Sequence, residues 1–418
     1  MKNPEPGTVE GRRSQIAEIA VEWKRSWRPG IASLVGGSLS YSLYSGVSSL
    51  FVEPMQSQFG WSRGDIAFVH AFGLVTAFTA PVVGQIVDRL GVRPVLSTGL
   101  LLTAIGYALF ALMGGSLTYY YTVYFFFSMF GMATTGITYT KVISEAFERT
   151  RGTALAIARG SLAVAGALMP LLLFPVIGRY GVMGGFLTLG AFILFVALPL
   201  AWFFIPSRAE EKRRGVIADA GLADRWRVLA SMPKVRILCA AAVLNYAPVG
   251  MLMTQMKPLA ISKGLDAVMA VGAVSSVGLA AAVGALLSGV LVDRFWAPAI
   301  AFTLNIAPAI GCLFLLQHQV TPTTFYAAVL LVGLGQGAEI DIVAYMIGRY
   351  FGLRSYASIY GLTVLSIALG VAISATLIGK AYDAFGNYDA ALIAASGSFA
   401  LAAFFYLAMG RYPKETPA

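Results

Sequence analysis

The chain has 418 residues, of which 58% are hydrophobic and only 12% charged, well below the roughly one-quarter usual for soluble domains. This composition excludes an ordinary water-soluble domain, so the net charge of +10 has to be explained from the positions of the charges. The apolar residues come in blocks of about 20, the length that a helix needs to cross a bilayer core about 30 Å thick.

The blocks predict an all-α integral membrane protein with twelve transmembrane helices. In chain order they cover 30–52, 64–87, 94–114, 117–144, 152–177, 182–204, 237–261, 267–292, 298–317, 323–348, 356–379 and 388–409. A long, charge-rich polar stretch divides these blocks six and six. The predicted order is an N-terminal tail, a six-helix bundle, a linker, a second six-helix bundle and a C-terminal tail, at 1–29, 30–205, 206–236, 237–410 and 411–418.

The 30 Lys and Arg residues are unevenly distributed. With the N-terminus placed inside, 23 lie in inner tails and loops and five lie outside, while Lys141 and Arg159 lie within spans. This bias predicts a bacterial-type inner-membrane protein with both termini in the cytoplasm. The basic charge therefore needs no nucleic-acid partner. Cys239 and Cys312 lie in apolar spans without the spacing of a disulfide framework or a metal site.

The two halves share a repeated motif. Gly84 to Arg89 (GQIVDR) matches Gly289 to Arg294 (GVLVDR), and each copy ends the second span of its half. The doubled motif resembles the signature loop of the major facilitator superfamily. That resemblance implies two pseudo-symmetric six-helix bundles and transport by alternating access. We expect the protein to need no cofactor and to act as a monomer.

The motif also predicts a conformational latch. A carboxylate at a helix end can accept hydrogen bonds from unpaired N–H groups or from a guanidinium, and such contacts have to break when the halves move. The predicted latch residues are Gly84, Asp88, Arg89, Asp293 and Arg294. The alternative is ordinary topogenic charge at the inner surface.

A second resemblance is narrower. The fifth span opens with the segment FERTRG, Phe147 to Gly152, and continues as a helix rich in Ala and Gly. The segment GWSR, Gly60 to Arg63, follows the first span. Both segments resemble the monocarboxylate transporter and oxalate/formate antiporter branch, which implies an organic anion as the transported solute.

Ionisable residues inside the spans are the candidate transport residues because each costs about 2.5 to 3.5 kcal/mol at membrane depth. Arg159 is predicted to bind a substrate carboxylate, since its planar fork matches two oxygens. Glu339 or Asp341 is predicted to carry the coupling proton. The two side chains lie about 200° apart around a helix, so they cannot both point at one spot. A static salt-bridge network is the alternative, and Lys141 can instead extend its stem to the inner surface.

Weaker candidates complete the set. Lys141, Tyr44, Tyr139 and Asn245 are predicted substrate contacts because polar and aromatic groups suit an organic anion with an apolar body. His70 is a candidate proton relay, although a lone helical histidine also serves as a local hydrogen-bond partner.

The predicted function is proton-coupled uptake of a small organic anion, a monocarboxylate or an aromatic acid. An exporter of amphipathic compounds and a non-transporting scaffold of the same fold are the alternatives. The sequence has no phosphate-binding loop, no metal-ligand spacing and, with two histidines, no evident catalytic triad, so an enzyme is not predicted.

Overall fold

A computed structural model of the chain describes residues 9–62, 65–66, 68–207, 210, 229, 231–317 and 320–413. The secondary structure of these residues is helical, with no strand among them. The described helices, in chain order, are α1 (Val9–Ser38), α2 (Tyr41–Val47), α3 (Ser49–Phe59), α4 (Gly73–Leu90), α5 (Val92–Ala111), α6 (Leu117–Gly131), α7 (Gly136–Ala146), α8 (Arg151–Phe192), α9 (Leu198–Phe204), α10 (Pro233–Ser262), α11 (Ala267–Arg294), α12 (Ala297–Phe314), α13 (Pro322–Phe351), α14 (Tyr356–Phe385) and α15 (Asp389–Ala408).

Within the described residues, helices cover all twelve predicted blocks, but several blocks are less regular than expected. The first is divided among α1, α2 and α3, and the fourth is divided between α6 and α7. The sixth continues from α8 through the π-helix Ile193–Ala197 into α9. The fifth and the start of the sixth run together in α8, which bends at Gly181, where φ is 65°. This left-handed backbone favours glycine because glycine has no Cβ to clash. Six described helical stretches are each long and apolar enough to cross a membrane.

Local sequence explains where several helices begin. Ser116 caps α6 by accepting a hydrogen bond from the N–H of Tyr119, and Asp266 caps α11 in the same way. Thr321 caps α13, whose first position is Pro322. A side-chain oxygen at these positions satisfies an N–H group that has no partner within the helix, and proline loses nothing there.

The described contacts divide the chain into two compact units. The first unit is Met1–Thr76 with Leu90–Ile217, and the second is Ala77–Arg89 with Ala218–Ala418. The predicted bundle boundaries at 205 and 237 remain a prediction.

In the first unit, α1 packs on α7 and α8, and α5 packs on α6 and α8. Its interior is an aromatic cluster in which the Phe51 and Phe186 rings stack with centroids 4.4 Å apart. In the second unit, α11 packs on α13, α10 on α14, and α12 on both α13 and α15. Gly333 and Gly337 of α13 lie directly against the backbone of α11 and leave no room for a Cβ, which brings the two helices close together.

Candidate functional site

Two broken helices of the first unit meet at their breaks. The chain leaves α1 at Ser38 and restarts at Tyr41, and it leaves α6 at Gly131 before α7 begins. The Tyr41 N–H donates to Thr134 Oγ1 at 3.0 Å, and the Tyr41 hydroxyl lies 3.0 Å from Ser128 Oγ. Discontinuous membrane helices with satisfied breaks often line the substrate sites of transporters. Sequence reasoning identified neither break, although Ser40 and the glycine and threonines at 131–135 are local signals for them.

Lys141 lies on α7 and is fully buried. Its Nζ is 3.9 Å from Glu145 Oε1, one helical turn further on, and the Glu145 side chain is only 5% exposed. Each ion offsets part of the cost of burying the other. Glu145 was not among the predicted residues, although the spacing of four residues on one helix could have revealed the pair.

Tyr139, two residues before Lys141, lies against α1. Its ring covers Gly36 so closely that a Cβ at Gly36 would overlap the phenol oxygen, whereas a Cβ at Gly37 would make ordinary contact at 3.7 Å. The Tyr139 hydroxyl is buried, and it has no hydrogen-bond partner among the described residues. A buried hydroxyl without a partner is energetically costly, so a bound polar group would gain by satisfying it.

The other candidates of the first unit differ in their surroundings. Tyr44 lies inside the aromatic cluster, stacked on Phe110 and Phe186, and its hydroxyl is 3.4 Å from that of Tyr120. Arg159 is half-buried on α8, and its Nη1 atom is buried. Ser161, two residues along, donates to the Leu34 carbonyl at 2.7 Å and so ties this part of α8 to α1.

In the second unit, Glu339 and Asp341 of α13 are both 2% exposed. Glu339 Oε1 accepts a hydrogen bond of 2.7 Å from the Tyr406 hydroxyl on α15. Tyr406 is itself fully buried, so this carboxyl group is held in the interior of its unit. Asn245 on α10 is also buried, at 2% exposure. Tyr406 lies 67 residues from Glu339 in sequence, and sequence reasoning did not identify it.

The first copy of the repeated motif makes specific contacts within the second unit. Asp88, fully buried at the end of α4, accepts hydrogen bonds from the N–H groups of Ala357 (3.1 Å) and Ser358 (2.8 Å) and from Ser358 Oγ (2.6 Å). Gly84 lies directly against the Ala357 carbonyl with no space for a side chain. A carboxylate at the N-terminus of α14 thus satisfies N–H groups that have no partner within that helix.

The remaining latch candidates lie at helix ends. Arg89 is exposed in the last turn of α4, Arg294 is exposed in the last turn of α11, and Asp293 beside it is half-buried. His70 lies in the short 3-10 helix Phe68–Phe72. The described residues contain no group of three or more His, Cys, Asp or Glu side chains that could hold a metal ion.

The sequence profile of the Major Facilitator Superfamily matches residues 33–375 and 238–417. The chain belongs to this superfamily. The match confirms the predicted fold class, an all-α membrane protein with the twelve-helix major facilitator fold, and the family consists of transporters rather than enzymes.

Curated relatives extend over most of the chain. Human "Monocarboxylate transporter 11" is 23% identical over 401 residues, covering 92% of this chain and 83% of the relative. "Monocarboxylate transporter 13" of Bos taurus is 25% identical, covering 90% and 87%. "Uncharacterized MFS-type transporter YhjX" of Escherichia coli is 24% identical, covering 80% and 82%. The predicted resemblance to monocarboxylate transporters is therefore confirmed at the level of sequence.

Solved structures share the fold at lower identity. The Escherichia coli fucose:proton symporter FucP superposes with a TM-score of 0.75 at 15% identity, covering 93% of this chain and all of that one. The human organic anion transporter MFSD10 superposes with a TM-score of 0.70, also at 15% identity, covering 91% and 99%. At this identity the likeness shows the fold alone.

Proposed function

We propose that this transporter carries out proton-coupled uptake of a small organic anion, a monocarboxylate or an aromatic acid, by alternating access. The observation that carries the proposal is the match to monocarboxylate transporters along 90% or more of the chain, together with ionisable side chains inside the membrane helices. The proposal places the protein in a bacterial-type inner membrane as a monomer, with both termini in the cytoplasm.

The anion would be held by groups of the first unit. Arg159 offers a guanidinium that can hold both oxygens of a carboxylate, and the Tyr139 hydroxyl is a buried donor without a partner among the described residues. Lys141 contributes through its pair with Glu145, because the carboxylate cancels its charge until a second anion competes. The site would then have two cations, and the availability of Lys141 would depend on Glu145.

The coupling proton would be carried by the second unit. A carboxyl group in an apolar interior favours its neutral form, which can load a proton from one side and release it on the other. Glu339 is the better candidate because the Tyr406 hydroxyl donates to it at 2.7 Å, a contact that stabilises the ionised form once the proton has left. Asp341 is equally buried and remains the second candidate.

Proteoliposomes with an imposed pH gradient test the proposal. Radiolabelled lactate, succinate and benzoate are offered with the outside acidic, and we expect accumulation of at least one acid. Arg159→Ala should abolish accumulation, whereas Glu339→Gln should abolish the response to the gradient but retain exchange of one acid for another. Arg236→Ala, which removes an exposed cation at the start of α10, is the matched control and should transport normally.

Three results would contradict the proposal. If both the Arg159 and Glu339 variants insert normally and accumulate substrate at the wild-type rate, the site assignment is wrong. An exporter would respond to the gradient in the opposite sense. A protein that moves none of the acids under either gradient would favour the scaffold.

A further inference from the structure

We infer that the first unit contains a binding site for the phosphate headgroup of an anionic phospholipid, in a cavity beside the N-terminal part of α1. The cavity has a volume of about 780 Å³ and lies among α1, the start of α5, the end of α7 and the end of α9. These helix ends lie on the Lys- and Arg-rich side of the predicted membrane. Arg159 and Glu339 do not line this cavity, whereas Glu145, the partner of the proposed substrate contact Lys141, does. The inference does not depend on which solute is carried.

Most carboxylates that line the cavity already have partners. Glu22 accepts hydrogen bonds from the N–H groups of Glu148, Arg149 and Thr150, at 2.6 to 3.1 Å. Glu18 forms an ion pair of 2.6 Å with Arg149. Of the other carboxylates, Glu145 is paired with Lys141 and Glu210 accepts hydrogen bonds from Ser207. These four carboxylates thus contact partners within the protein, although the hydrogen bonds leave the charges of Glu22 and Glu210 in place, and the exposed Glu148 carboxylate is the remaining acidic group of the described lining.

Three guanidinium groups of the same lining are not used in this way. Within the described part of the chain, Arg25, Arg28 and Arg93 form no ion pair with a carboxylate. Arg93 instead lies over the Trp202 ring, 4.6 Å from its centroid, and Arg28 lies near the Trp27 ring at 5.5 Å. The lining therefore presents three guanidinium groups without a carboxylate partner among the described residues. Guanidinium forks match phosphate oxygens, so the expected ligand is a phosphate group.

The rim of the cavity indicates that this phosphate belongs to a lipid. Phe203 is 73% exposed, Trp202 51% and Trp27 45%, so large apolar rings surround the cations. Tryptophan at such positions is typical of the membrane interface, where a ring contacts acyl chains and its polar edge stays wet. α1 also lines an apolar groove of about 150 Å³ that includes Trp27 and Leu34. A lipid could place its phosphate headgroup against the arginines of the polar cavity and an acyl chain against these aromatic rings.

The test is native mass spectrometry of the full-length, detergent-purified protein, titrated separately with dioleoyl phosphatidylglycerol, dioleoyl phosphatidylcholine and inorganic phosphate. We expect a saturable phosphatidylglycerol adduct that phosphatidylcholine does not reproduce. Changing Arg25, Arg28 and Arg93 together to Gln should weaken this adduct by more than tenfold, since each cation near anionic lipid contributes about fivefold. The control changes Arg236, Arg349 and Arg411 to Gln; it removes the same charge from exposed residues of the second unit and should bind normally.

The remaining outcomes overturn the assignment. Equal weakening in both triple variants would show that general surface charge attracts the lipid. Saturable binding of inorganic phosphate with the same dependence on the three arginines would assign the site to a soluble phosphate. If the triple variant does not fold, Arg25→Gln and Arg93→Gln are tested singly, and wild-type lipid affinity in both would refute the site.

Discussion

Glu22 offers the sharpest test of how α1 stabilises the first unit. Its carboxylate accepts hydrogen bonds from the backbone N–H groups of Glu148, Arg149 and Thr150 and one of 2.8 Å from the Thr150 hydroxyl. These groups form the turn that leads into α8, where Thr150 occupies the N-cap position but makes no cap with its own side chain. Glu22, 128 residues away from Thr150, therefore supplies the cap from another helix.

The expected cost of Glu22→Ala follows from these contacts. Losing a helix cap costs about 0.5 to 2 kcal/mol, and hydrogen bonds to a charged group are worth about 1.5 to 3 kcal/mol each when buried. Glu22 is only partly buried, so solvent screening reduces that value and we expect a loss of about 2 kcal/mol in the free energy of unfolding. Glu22→Gln keeps one acceptor oxygen without the charge and should cost about half as much.

The pH dependence gives a second readout. Burial by itself raises the pKa of Glu22, but the hydrogen bonds from the turn outweigh it and hold the pKa below its ordinary value of 4.5. A carboxyl group whose pKa is lower in the folded state stabilises the protein above the unfolded pKa, and this stability is lost as pH falls through the folded pKa. The difference between wild type and Glu22→Gln should therefore be constant near neutral pH and shrink below about pH 4.5.

The measurement is equilibrium unfolding of the purified protein in mixed micelles with increasing sodium dodecyl sulfate, followed by tryptophan fluorescence. Glu148→Gln is the matched control because it removes a charge from the same turn, where the Glu148 side chain is exposed and only its N–H group meets Glu22. If Glu22→Ala unfolds with the same free energy as Glu148→Gln, the capping interaction does not stabilise the unit. A Glu22→Gln difference that persists at low pH would refute the role of the charge.

Two further predictions concern close helix contacts. Gly84→Ala should force α4 and α14 apart and reduce transport severalfold, because a Cβ at this position would overlap a backbone carbonyl. Gly73→Ala is the control: its Cβ meets open space, so this variant should transport normally, and equal transport rates for the two variants would show that the close contact is not needed. Gly36→Ala should displace the Tyr139 hydroxyl and raise the KM for substrate, whereas Gly37→Ala should leave KM near wild type. Equal KM values for these two variants would remove Tyr139 from the proposed site.

The twelve spans, the duplicated motif and the superfamily were predictable from the sequence because each depends on residues that are neighbours in the chain. The length of an apolar block shows whether the block can cross a bilayer, and the distribution of Lys and Arg between loops predicts the orientation. Both can be counted along the sequence without any tertiary contact. Intramembrane ionisable residues such as Lys141 and Glu339 could be identified in the same way, since their cost at membrane depth depends on the residue itself. Their roles in transport remain predictions.

The partners of these residues were decided by tertiary structure. Tyr406 reaches Glu339 from a different helix, and Thr134 receives the Tyr41 N–H across 93 residues of sequence. The breaks in the first and fourth blocks are tolerated because groups that are distant in sequence form hydrogen bonds with the backbone groups freed at the breaks. The hydropathy of a single segment does not predict such hydrogen bonds. Glu22 shows the same limit: its sequence neighbours indicate a solvated tail, and only packing of α1 against the turn before α8 makes it a cap.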